Sequence, residues 1–462
     1  MNGKLYRLWW AAVLLAPLLL PAARPTPAPA GSATHHAVLP VVLTTPGVAY
    51  VSDEADLRRA ISQANVDDPA LNIELLADIV LTAPLPPLDN PDTTIIDLRG
   101  NGHTLDGNGH GPILSIGRGT WVEIQRLTLT GGAASGEAGC GGAIFVAGLL
   151  ALRESVVSGN SATRGGGLCV IGVGAEEAVQ LTVYDSVITG NTAQLGGGGI
   201  FARAAGGATF NVSIYDSALL RNRATGGDGG AIHAAAEQGT LRTAIRMSAV
   251  ADNFALNGGG LYNVANAAGG GIAEANLYNA TFSGNVALGE GGAIANYVTA
   301  PVEEERDGAA AGPQQPDFAE ARVFTNFTTI TANTAYHGSG VFSPGQAFFW
   351  PTATIIAGNA PGGGDCGQRI SSGGFNMDGD GSCRLFEDND DLPRGRADLR
   401  PLAVNPPGTT ATHALGPNSD ARNRVSVDMG YCQELETDQR GVARPQPAGS
   451  QCDIGAFEAG EE

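Results

Sequence analysis

The chain has 462 residues, 67 of them glycine and only 6% aromatic, and its formal net charge is −20. Lysine occurs once, at Lys4, so arginine is the strong cation of everything downstream. Such a chain lacks the clustered basic residues that neutralise phosphates, which excludes a nucleic-acid partner and favours a neutral or cationic one.

Residues 1–30 read as a secretory signal peptide. Lys4 and Arg7 precede an apolar run from Leu8 to Leu20, and Ala22-Ala23 or Ala28-Pro29-Ala30 offers small residues for cleavage. The run is too short to span a bilayer and Pro17 interrupts it, so no membrane span is expected in the mature chain. The first cysteine is Cys140, so no lipidated cysteine follows the signal. Residues 31–47 form a Pro/Ala/Thr-rich linker.

Residues 48–130 read as an N-terminal cap with the first coils of a solenoid. Ser52 or Asp53 can cap a helix whose apolar residues Leu57, Ala60, Ile61 and Ala64 share one face. Short strands at 72–76, 79–81, 94–98, 113–116 and 122–129 follow, and an amphipathic helix is expected cover for the raw strand edge where a solenoid begins. Gly109-His110-Gly111 resembles the histidine motif of polygalacturonases. The aspartate cluster and Arg-x-Lys clamp of that family do not follow it, so a Gly/Asn-rich turn explains the stretch without chemistry.

From 131 to 360 one pattern returns seven times. Glycines and an aliphatic open each copy, as in Gly141-Gly142-Ala143-Ile144, and an apolar residue, two small or polar residues and Asn close it, as in Val157 to Asn160. The closing residues Asn160, Asn191, Asn222, Asn253, Asn285, Asn333 and Asn359 are 31, 31, 31, 32, 48 and 26 apart. A fixed period of this size marks a solenoid. Polar residues alternate with β-branched ones between the corners, as in Leu181-Thr182-Val183-Tyr184, which is strand chemistry with no helical run. Asn and Gly tolerate unusual backbone angles and belong at the corners. The expected fold is all-β: a single-stranded parallel β-helix with two internal columns. One column is Ile144, Leu168, Ile200, Ile232, Leu261, Ile294 and Val341; the other is Val157, Ile188, Leu219, Val250, Phe282 and Ile330. Residues 301–320 are acidic and Pro/Ala/Gly-rich, and their length accounts for the long interval before Asn333, so they read as a mobile insertion.

The paired Gly-Gly-Ala-Ile and apolar-x-x-Asn motifs, with Phe282-Ser283-Gly284-Asn285 in the Phe-x-x-Asn form, resemble the repeats of polymorphic outer-membrane proteins. That resemblance covers about half the chain and implies a right-handed, pectin-lyase-like β-helix displayed outside bacterial cells. Residues 361–462 resemble the choice-of-anchor modules of bacterial surface proteins. The likeness rests on Asp365-Cys366, Gly381-Ser382-Cys383, Thr437-Asp438-Gln439-Arg440-Gly441, Arg444-Pro445 and the closing Cys452-Asp453-Ile454-Gly455-Ala456-Phe457-Glu458. In that family a variable anchor comes next; none follows here, which favours secretion or loose attachment to the surface.

Six cysteines behind a secretion signal suggest disulfides. Cys366 with Cys383 and Cys432 with Cys452 are the economical pairs, each worth roughly 3 kcal/mol from chain entropy. Aligning the glycine motifs sets Cys169 opposite Phe145, five residues beyond Cys140. On straight strands that offset is about 16 Å, too far for a bridge, so Cys140 and Cys169 are expected to stay free. Asp378 and Asp380, in Asp378-Gly379-Asp380, are candidate calcium ligands; a solvated acidic turn is the simpler account, and no cofactor is required.

Position −7 from each corner Asn should face outward, and it reads Arg153, Tyr184, Tyr215, Arg246, Tyr278 and Asn326. Stacked at about 4.8 Å, these side chains make a flat ladder. Mutual shielding of the sheet is the simpler account, and a carbohydrate-binding surface the functional one. The functional expectation is a secreted or cell-surface protein of adhesion, surface structure or carbohydrate contact, without catalysis. The alternative is a polysaccharide lyase or glycoside hydrolase, which needs a carboxylate cluster beside a basic group that the arginine stripe does not provide.

Overall fold

A computed structural model describes residues 47–66, 72–91, 95–137, 139–299, 319–359, 362–427, 432 and 435–460. The signal segment, the linker except Gly47, and residues 301–318 of the insertion lie outside them. The insertion ends before Glu320, which opens the strand Glu320–Asn326.

The chain winds as a right-handed parallel β-helix whose rungs stack into four sheets. An eleven-stranded first sheet runs from Val48–Val51 through Leu149–Arg153 to Phe348–Thr352. A twelve-stranded second sheet runs from Ile79–Val80 to Leu392–Pro393, so the parallel ladder continues past residue 360. A six-stranded third sheet runs from Ala133–Ala134 to Val286–Ala287, and an eight-stranded fourth from Leu114–Ile116 to Val341–Phe342.

Both expected columns form. Ile144, Leu168, Ile200, Ile232, Leu261, Ile294 and Val341 pair rung to rung in the fourth sheet. Val157 to Ile330 do so in the second, and every member of both columns is fully buried. Apolar side chains stacked on their equals, with inward first-sheet residues such as Leu152, Val183 and Ile214, form the core of the coils, and a second cluster around Ile355, Met377, Val425 and Ile454 lies toward the C-terminal end.

The corners are more specific than the period suggested. The corner Asn is not the left-handed residue; the one before it is, as at Gly159, Gly190 and Gly284. That bend turns the Asn side chain inward, where it stacks on the next. The Nδ2 of Asn160 donates to Oδ1 of Asn191 at 3.0 Å, and the relay continues through Asn222, Asn253, Asn285, Asn333 and Asn359. Each Oδ1 from Asn191 onward also accepts the backbone N–H of the asparagine one rung earlier, as Asn222 does from Asn191 at 3.1 Å. The second Nδ2 hydrogen goes to a backbone carbonyl, as from Asn222 to Ile188 at 2.9 Å. These buried amides are therefore satisfied, which removes the cost of hiding them. A second row does the same at the opposite corner, where the backbone N–H of Ser155, Ser186 and Ser217 each donates to the hydroxyl of the next serine in the series, which ends at Ser248.

The N-terminal helix spans Glu54–Ala64, with the Asp53 side chain accepting from the Asp56 N–H and Leu57, Ala60, Ile61 and Ala64 buried, as expected. Beyond the strands Met377–Asp378 and Leu392–Pro393, which add to the second sheet, residues 397–460 do not extend the rod. They fold back along the outer face of the second sheet, burying Ala249, Thr281 and Thr329, while the equivalent Val156, Val187 and Ala218 stay partly open. The contacts are polar and long-range: Asn279 to the Thr437 carbonyl at 2.7 Å, Thr281 to Gln439 at 2.6 Å, Ser283 to His413 at 2.9 Å. At their centre the fully buried Arg444 pairs with the buried Glu458 at 2.8 Å, donates to the Gly455 carbonyl and lies over the Phe327 ring at 4.3 Å.

Cys366 pairs with Cys383 and Cys432 with Cys452. The expectation that Cys140 and Cys169 stay free is wrong: they form a disulfide with Cα atoms 5.5 Å apart. The strand alignment itself holds, since Phe145 does lie opposite Cys169. What fails is the straight-strand assumption. Gly141, at φ +75°, folds the chain back on itself; a Cβ there would sit 2.2 Å from the Ile144 carbonyl oxygen. The turn removes the five-residue offset and swings Cys140 beside its partner.

Candidate functional site

The −7 residues form one outward column of the first sheet, in the register Arg153, Tyr184, Tyr215, Arg246, Tyr278, Asn326. Tyr184 and Tyr215 stack with centroids 5.0 Å apart and planes 13° from parallel. Arg153 lies over the Tyr184 ring at 4.3 Å and Arg246 over the Tyr278 ring at 4.6 Å. The next outward column holds Ala151, Thr182, Ser213, Ala244 and Asn276, so the ladder stands beside a floor of small residues. One detail departs from expectation. Glu123, on the preceding rung, bonds the Arg153 Nε at 2.7 Å, so a carboxylate does reach the stripe and neutralises its first arginine. Arg246 has no such ion pair among the described residues and lies over its tyrosine alone.

A second row, missed from the sequence, runs along the fourth sheet. Phe201, His233 and Tyr262 are in register and meet ring to ring at 5.0 Å, and Tyr297 and Phe342 continue the row at 5.6 and 5.8 Å. Beside it, on successive rungs, lie Asp228, Asn257 and Glu290. Asp228 Oδ1 accepts from the Asn257 Nδ2 at 2.9 Å, Asn257 Oδ1 accepts the Glu290 N–H at 3.0 Å, and the Tyr297 hydroxyl donates to Glu290. Burial pushes the His233 imidazole down to about 4, so it is neutral near neutrality. Burial first, and then the Asp228 and Glu290 carboxylates, raises the Tyr262 hydroxyl above its usual range. The signal was available in part: except for Tyr297, which lies three residues after Ile294, these rings sit one residue after the aliphatic of the glycine motif, the position of Phe145, Cys169, Phe201, His233, Tyr262 and Phe342.

Asp378 and Asp380 meet Asp365, ligand atoms of all three lying within 4.8 Å of one another. Asp365 and Asp380 border a cleft of about 460 Å³ that Asp398 also lines. Burial, with Asp365 and Asp380 close by, raises Asp378 to about 6. Much of the acceptor capacity is already used on the backbone. Asp378 takes the Gly381 and Cys383 N–H groups, Asp380 those of Ser382 and Asp365, and Asp365 the Gly379 N–H and the Asn359 side chain that ends the amide row. A hard cation would fit the donor type, through the lone pairs that remain.

His110 stands at a turn after Gly109, whose φ is +81°, and the nearby Asp106 carboxylate accepts the Asn108 N–H at 2.8 Å. His103, not His110, contacts a carboxylate, that of Asp78 at 3.3 Å. Among the described residues no helix is long and apolar enough to cross a membrane. A comparison with protein-family models finds no match, and a comparison with curated proteins finds none either.

Proposed function

We propose that this is a secreted or cell-surface bacterial β-helix whose first-sheet face contacts an extracellular glycan without catalysis, in adhesion or surface structure. The observation that carries the reading is the ladder Arg153, Tyr184, Tyr215, Arg246, Tyr278, held at strand spacing beside a floor of small residues. Stacked phenol rings offer flat apolar faces with polar rims, and a guanidinium offers a planar fork to a carboxylate. The ligand class is therefore a linear glycan, neutral or acidic. Three disulfides suit an oxidising compartment, in keeping with export. The likeness of the coils to polymorphic outer-membrane protein repeats on a pectin-lyase-like fold, and of residues 361–462 to choice-of-anchor modules, supports display at a bacterial surface.

The test is binding of the purified protein to a panel of neutral and acidic polysaccharides, repeated with Tyr184→Ser, Tyr215→Ser and Tyr278→Ser combined. Affinity should fall at least tenfold while the circular dichroism and melting temperature stay put. Binding that survives the triple replacement places the site elsewhere, and absence of binding across the panel removes the reading.

A further inference from the structure

The fourth-sheet edge carries a second surface of different chemistry. Four large apolar side chains stand exposed along it: Leu195 at 49%, Leu256 at 36%, Leu288 at 59% and Tyr336 at 71%. Each occupies the third or fourth position after a corner asparagine, so they line up parallel to the rod axis, with a gap at the Asn222 rung, where Thr225, Gly226 and Gly227 stand. Beside the ridge runs the polar row of Asp228, Asn257 and Glu290, and beside that the ring row of Phe201, His233, Tyr262, Tyr297 and Phe342. Exposed large apolar side chains on three successive rungs, Leu256, Leu288 and Tyr336, rimmed by polar groups, mark an interaction site more than a solvated face.

The charge on this strip selects the occupant. Asp228 uses one oxygen on Asn257, and Glu290 uses one on Tyr297, which leaves the second oxygen of each without a hydrogen bond. Arg203, on the same sheet, is already neutralised by Glu237 at 2.6 Å, and Arg164 stands two rungs from Asp228 in the same column, on the side away from Glu290. Carboxylates beside tyrosine faces favour a cation, and a chain of net charge −20 draws one in. Spacing narrows the choice further. Asp228 and Glu290 lie two rungs apart, about 9.6 Å at the ordinary strand separation. A polyproline II helix rises about 3.1 Å per residue with three residues per turn, so its i and i+3 side chains recur on one side at about 9.3 Å. Aromatic-lined grooves are the usual seat for that conformation, which costs little entropy to bind.

We propose that the fourth-sheet edge is a docking site for a proline-rich, basic peptide segment of a partner protein. Its lysines or arginines at i and i+3 meet Asp228 and Glu290, and its prolines pack between the Tyr262 and Tyr297 rings and the leucine ridge. The site is independent of the glycan face.

Fluorescence anisotropy with a labelled peptide of four Lys-Pro-Pro triplets tests it on the whole protein. Saturable binding that weakens with salt is expected, and Asp228→Asn with Glu290→Gln should weaken it at least tenfold. Those replacements keep the oxygens that bond Asn257 and Tyr297, so an unchanged melting curve checks the fold. The Tyr184, Tyr215 and Tyr278 replacements should leave peptide binding unaltered. The proposal is overturned if the double substitution has no effect, or if the first-sheet replacements abolish binding. It fails equally if a Glu-Pro-Pro peptide, or a Lys-Gly-Ser peptide without prolines, binds as well as the Lys-Pro-Pro peptide.

Discussion

The coils and the tail solve the same problem, buried polar groups, in opposite ways. In the coils each asparagine is satisfied by a copy of itself one rung away, so the solution is repeated and each link is small. In the tail the arrangement centres on Arg444, which joins Glu458, the Asp453 and Gly455 carbonyls and the Asn279 side chain in a site closed to water, with Arg440 paired to the buried Asp438 beside it. A repeated solution spreads a defect among neighbours, whereas a single hub concentrates it. The coils should therefore fail gradually and the tail all at once.

The harshest way to break this contrast is to spoil the coil interior. Ile232→Asp sets a carboxylate in the middle of a sealed aliphatic column and should cost several kcal/mol. Hydrogen exchange should show protection lost first in the rungs around Ile200 and Leu261, with the N-terminal helix affected last. Uniform loss across the rod would make the coils one cooperative block.

Arg444→Leu strikes the hub and leaves Glu458 buried without its partner, for a loss of about 3–5 kcal/mol. Limited proteolysis should then gain cuts within residues 400–460 that the parent protein lacks, while residues 140–299 resist in both. A tail that remains resistant would show that its disulfides, and not the ion pair, hold it to the coils.

Asn222→Ala takes an acceptor from both the N–H and the Nδ2 of Asn191, and about 2–3 kcal/mol should go with it. The same change at Asn359, an outer link of the row, should cost less, and urea titration of the two variants gives the gradient directly.

The mildest effect is acidic. His233 is held down to about 4 in the folded coil against 6.5 unfolded, so the unfolded chain takes up the proton first. Its contribution is complete above pH 6.5 and drains away as pH falls toward 4, about 2 kcal/mol between pH 8 and pH 5. His233→Phe should flatten that part of the pH–stability curve; an unchanged slope would assign the acid sensitivity to other groups.

How much of this could be seen in the sequence depends on range. The two aliphatic columns, the Asp53 cap and the outward ladder from Arg153 to Tyr278 follow from local alternation and a constant period, so they are legible one coil at a time. The Cys140–Cys169 bridge is not, because it depends on how far one left-handed glycine turns the chain. The fourth-sheet ring row obeys the period except at Tyr297, but its residues differ in type (Phe, Cys, His, Tyr), which hides the column from a search for identical residues. The seating of the tail was invisible for another reason. Ser283 meets His413 across 130 residues and Asn279 meets Arg444 across 165, with no repeat to relate them.

The amide row also has a direction. Every side chain from Asn160 to Asn359 gives one of its two amide hydrogens to the next side chain toward the C-terminal end, and the last recipient is Asp365, which has none to pass on. A chain of identical links with a distinct terminator can be lengthened or shortened without altering either end. Cutting out residues 191–221, or duplicating them, should return a folded rod one rung shorter or longer, changed by about 4.8 Å. In that sense the molecule is a gauge, and the number of asparagines between Gly132 and Asp365 sets its reading.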